Sequence, residues 1–173
     1  MRAVLWSAAC AAILIACSPP AQRPETPPEP PTVAACNSVA PDAARQVRVE
    51  EAEAVAGAAA DLRGGAIAPG MYDLVSARRI GAATGWDGAR AVALEVSESA
   101  TGGVTFNWAG AAAGGAVDSW TASFTDTPQP RLTYSCGRVG EVAAEFAALA
   151  DALTLRLQDG AGGQLALEFR RRV

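Results

Sequence analysis

The only thiols in the 173 residues are Cys10, Cys17, Cys36 and Cys136, and no histidine accompanies them. A thiolate becomes a nucleophile when a neighbouring base or cation lowers its pKa. Without imidazole there is no Cys–His or Ser–His pair, and the common zinc ligand sets are absent. All 14 basic residues are arginines, so Schiff-base and P-loop lysine chemistry are excluded too. Asp73, Glu95 and Glu168 are candidate acids. They fall on the strand faces opposite the large apolar residues, where solvent supplies no cause for a raised pKa. Asp87, in Gly-Trp-Asp-Gly, suits turn geometry. The inventory therefore points away from an enzyme, and it implies no cofactor and no metal. The net charge of −4, with no basic stripe interleaved with aromatics, argues against nucleic acid as a partner.

The thiols have other uses. Residues 1–16 read MRAVLWSAACAAILIA, with Arg2 followed by an apolar run broken only by Ser7. That run is too short to span a bilayer and suits a signal peptide. At its end, Leu14-Ile15-Ala16-Cys17 resembles the lipobox of bacterial lipoproteins. The resemblance implies a diacylglycerol on the Cys17 thiol, cleavage before Cys17, acylation of the new amino group with a fatty acid such as palmitate, and loss of Cys10. It makes the membrane a partner through the lipid anchor. Two or three acyl chains, each at about 0.8 kcal/mol per buried CH₂, hold where one does not. Ser18 is not the aspartate that this family associates with inner-membrane retention, so the resemblance implies the outer membrane, facing the periplasm.

Residues 17–35 then form a tether. Prolines 19, 20, 24, 27, 28, 30 and 31 and almost no bulky apolar residue leave nothing to build a core. Polyproline II, at about 3.1 Å per residue, would stand the domain roughly 45 Å from the bilayer. Export to an oxidising compartment leaves Cys36 and Cys136 as a disulfide pair. The bridge would close about 100 residues, worth about 4–5 kcal/mol in the chain-entropy model.

From residue 70 the pattern alternates with period two, the mark of half-buried strands. Tyr72, Leu74 and Ser76 share one face, as do Val92, Leu94 and Val96. The same holds for Val104, Phe106 and Trp108, and for Trp120, Ala122 and Phe124. Leu132, Tyr134 and Cys136 follow, then Leu153, Leu155 and Leu157, then Leu165, Leu167 and Phe169. Residues 140–151 alternate too, with Val142, Ala144, Phe146 and Ala148, although a helix also fits those letters. Gly-, Pro- and Asp-rich turns separate the runs. The expectation is eight strands in an antiparallel up-and-down meander, closed into a barrel that removes its edges; a β-sandwich is the alternative. Residues 42–63, with Asp42 as cap and Gly64-Gly65 as terminator, read as one short N-terminal helix, the Val47-x-Val49 alternation leaving a strand open.

Over residues 64–173 this pattern resembles the lipocalin-like (calycin) barrels. Gly70-Met71-Tyr72 stands where that family carries G-x-W, and Arg170 where it places an arginine across the first-strand aromatic. The expected organisation is a signal peptide at 1–16, the lipidated cysteine and tether at 17–35, and a lipocalin-like β-barrel domain at 36–173. Tyr72, Phe106, Trp108, Trp120, Phe124, Tyr134, Phe146 and Phe169 all take the inner face. They are candidates for the wall of a cavity holding a small apolar ligand or lipid. If they instead fill the barrel, the outer face and loops are left to contact an envelope protein partner in a scaffold or inhibitor-like role. The Arg170-Arg171-Arg172 run reads as a solvated chain end, or as a contact for an acidic lipid or partner.

Overall fold

The computed structural model describes residues 35–52, 62–100, 102–160 and 162–173. The expected signal peptide, Cys17 and tether as far as residue 34 lie outside these residues, as do positions 53–61 of the expected helix.

The described residues of the unit Val33–Val173 are all-β. Strands β2 (Gly70–Gly81), β3 (Ala89–Glu98), β4 (Val104–Ala112), β5 (Asp118–Thr125) and β6 (Arg131–Cys136) fall where the alternation predicts. So do β7 (Glu141–Ala148), β8 (Ala152–Asp159) and β9 (Gly163–Arg171), and the ambiguous 140–151 segment is a strand. Neighbours pair antiparallel in sequence order, and β2 also pairs with β9 from Tyr72↔Arg171 to Gly81↔Gly163. The sheet therefore curls back on itself, and the fold is barrel-like.

One element differs from expectation. Residues 47–52 are not helical: Val47–Ala52 is a strand, β1, bringing the total to nine in one sheet. It lies between β2 and β3. Those two pair directly only at Gly70–Asp73. Farther along they splay, and β1 runs parallel to β2 at Ala77–Ile80 and antiparallel to β3 at Ala89 and Arg90. A strand won because Val47 and Val49 pack against the core from this gap, and tertiary burial outweighs weak local helix propensity.

Two bulges correct the inferred faces. An extra residue between Leu74 and Ser76 shifts the β2 alternation, so the inward residue after Leu74 is Ala77, 1% exposed, and not Ser76. A second irregularity, at Ser135, puts Cys136 in register with Thr121, on the outer face and not with Leu132 and Tyr134. That outward turn lets Cys136 meet Cys36.

Residues 35–46 form a strap that touches β5, β4 and β2. The disulfide Cys36–Cys136, with Cα atoms 5.6 Å apart, fastens its start. Gly137 next to the bridge has φ +77°, and a Cβ there would collide with the Ser119 carbonyl oxygen and crowd the Cys36 sulfur. The Asn37 amide donates to the carbonyls of Trp108 (3.2 Å) and Trp120 (3.0 Å). Beneath the strap side of the sheet, Ala91, Ala93 and Ala109 are buried although they point away from the core.

Candidate functional site

The interior divides into two halves. At the end bounded by the 99–103, 126–130 and 149–151 connections, the core is filled. Phe106 stacks on Phe124 at 5.3 Å, and Phe124 meets Phe146 edge-on at 5.0 Å. The backbone of Gly64 bonds to Phe146 and Ala148 across this end. The Tyr72 hydroxyl donates to the Ala68 carbonyl at 2.7 Å. Burial raises the Tyr72 pKa above its ordinary value, and nearby Arg171 opposes the shift.

At the other end, where β1 is inserted, a cavity of about 320 Å³ remains. One wall is a row of rings. Trp86 meets Trp108 edge-on at 6.4 Å, Trp108 stacks on Trp120 at 5.2 Å, and Trp120 meets Tyr134 edge-on at 5.2 Å. Val142, Leu157, Leu165 and Leu167 complete the apolar lining. Two arginines cap the row: the Arg90 guanidinium lies 5.9 Å from the Trp86 ring, and Arg138 lies 5.8 Å from Trp120 and 5.9 Å from Tyr134.

The alternation supplies most of this wall. Trp108, Trp120 and Tyr134, three of the eight expected aromatics, line the cavity. The other five belong to the packed core: Tyr72, Phe106, Phe124 and Phe146 as above, and Phe169 edge-on to Trp108 at 6.0 Å. Trp86 and Arg90 were not anticipated. Trp86 sits in a loop, where no period marks it, yet it is only 3% exposed. Arg90 shares the parity of Val92, Leu94 and Val96, so its inward direction was present in the pattern.

The expected strand carboxylates separate. Glu168 faces solvent and pairs with Arg78 at 2.7 Å. Glu95 joins an outer ladder: Asn107 donates to it at 2.9 Å, and the Thr121 hydroxyl donates to Asn107 at 2.9 Å. Asp73 does not face solvent; it is 5% exposed near the strap. Arg172 clamps it with contacts of 2.6–3.0 Å, and Arg45 approaches at 3.8 Å. The hydrogen bond to Asp73 raises the Arg172 pKa despite desolvation. Arg171 donates to the Pro69 carbonyl at 2.6 Å and is the register partner of Tyr72, the place expected for Arg170. Arg170 pairs with Asp151 instead at 3.1 Å. The terminal basic run is thus engaged in closing the sheet. An open groove of about 570 Å³ adjoins it, lined by Asp42, Arg45, Asp73 and the three terminal arginines.

No protein-family model matches the chain, and no curated protein matches it. Among solved structures, a de novo designed fluorescence-activating β-barrel is similar at 16% identity and a TM-score of 0.42, covering 61% of this chain and 94% of that one.

Proposed function

We propose that the chain is a lipid-anchored envelope protein that binds a small apolar ligand in the cavity of a lipocalin-like barrel. In this reading Cys17 carries the lipid at the outer membrane, the proline tether spaces the domain into the periplasm, and the domain works by binding, not catalysis. One observation carries it: a 320 Å³ space is walled by Trp86, Trp108, Trp120 and Tyr134 on one side and aliphatic residues on the other. Ligand pockets begin near this volume and are mostly apolar with a few polar groups. A two-ring molecule hiding roughly 200 Å² of apolar surface would gain about 5 kcal/mol before association costs. That gain alone corresponds to a dissociation constant of about 0.2 mM, and association costs weaken it toward the millimolar range.

Titration of the protein with a neutral two-ring probe, 2-naphthamide, followed by calorimetry, tests the binding half. Saturable one-to-one uptake supports it; no heat at millimolar probe overturns it. Fractionation tests the anchor: Cys17→Ser should move the protein from the membrane to the soluble fraction, and an unchanged distribution would remove that part.

A further inference from the structure

One charged side chain on the cavity wall, Arg90, makes no hydrogen bond and no ion pair among the described residues. Arg90 points inward from β3, and its Nε is buried with no hydrogen-bond partner. The indole Nε1 atoms of Trp86 and Trp120 are buried and unpartnered too, and all three residues line the same cavity. Native proteins rarely bury donors unpaired, so three on one cavity need a physical reason.

The neighbouring charges are already engaged. Arg79 is held by Glu51 and by Asp87 at 2.7 Å, with the Glu51 hydrogen bond chief among the causes that raise its pKa. Arg138 pairs with Asp118 at 3.2 Å. Asp159, the other carboxylate lining the cavity, accepts the backbone N–H groups of Thr84 and Gly85 at 2.8 and 2.5 Å. Among the described residues Arg90 has no carboxylate within ion-pair distance. Its guanidinium lies 5.9 Å from the Trp86 ring.

We infer that the ligand is a flat apolar acid, its ring system lying along the Trp86–Trp108–Trp120–Tyr134 wall and its carboxylate received by Arg90. The fork of the guanidinium matches a carboxylate, and such charge-assisted bonds are stronger than neutral ones. This inference rests on the apolar-ligand reading and adds the charge that the ligand must carry.

Calorimetry on the protein compares 2-naphthoate with its neutral isostere 2-naphthamide. The wild type should bind the acid at least about tenfold more tightly than the amide. Arg90→Gln should bring the two within about twofold, and Arg90→Lys should retain part of the preference. Arg131→Gln, at a surface pair with Glu141 away from the cavity, should keep the wild-type ratio. Equal affinities of the wild type for both probes, or an undiminished preference in Arg90→Gln, would overturn the inference while apolar binding stands. Failure of both probes to bind would overturn the two together. The wild-type ratio decides the matter even if a variant does not fold.

Discussion

Among the described residues Asp73 is the buried carboxylate, and Arg172 is its main counter-charge. Removing a partner from a buried pair costs more than the pair contributes, because the remaining charge stays desolvated. Arg172 is 36% exposed, which discounts the effect relative to a fully buried pair. Arg172→Gln should therefore cost about 1–3 kcal/mol, measurable as a lower urea midpoint. Tyr72 makes a second prediction. Its folded-state pKa is raised above the ordinary 10.0, so the unfolded chain loses the phenolic proton first. The Tyr72 contribution is complete below the ordinary pKa of the unfolded chain and falls as pH rises through the folded-state value. Tyr72→Phe should weaken this alkaline loss, although it also forfeits the hydrogen bond to Ala68; chemical denaturation between about pH 9 and 11 reads the slope.

At the scale of elements, the strap is fastened to the outside of the sheet by a disulfide and by Asn37. The Cys36–Cys136 bridge closes 100 residues of sequence. The double Cys36→Ser, Cys136→Ser variant should lose about 4 kcal/mol, read from urea denaturation. A loss below about 1 kcal/mol would mean that Asn37 and the packed strap suffice. The strands after residue 70 were legible because each has one wet and one dry face, and period-two alternation reports that difference directly. β1 was not. Only Val47 and Val49 alternate, and its partners on β2 and β3 lie 28 to 43 positions away, which no local pattern contains. The bulges at Val75 and Ser135 were hidden for a similar reason: a one-residue slip appears only when partner strands are known. The cavity was legible in part. Trp108, Trp120 and Tyr134 carry the strand period, whereas Trp86 enters from a loop whose letters read as a turn.

For the whole molecule, the consequence is an interior filled at one end and hollow at the other. Phe106, Phe124 and Phe146 pack the filled end. At the hollow end β1 is inserted, and the ring wall faces aliphatic side chains across the gap. A protein that works by binding must take up a ligand in that gap. The most direct measurement is calorimetric titration of 2-naphthamide into the wild type and into Val142→Trp. Val142 is partly exposed and lines the cavity, so a larger side chain there fills the space from its edge without disturbing the buried core. The account predicts saturable one-to-one binding by the wild type and none by a Val142→Trp protein that keeps its thermal midpoint. Absence of wild-type binding, or equal binding by the filled variant, would contradict it.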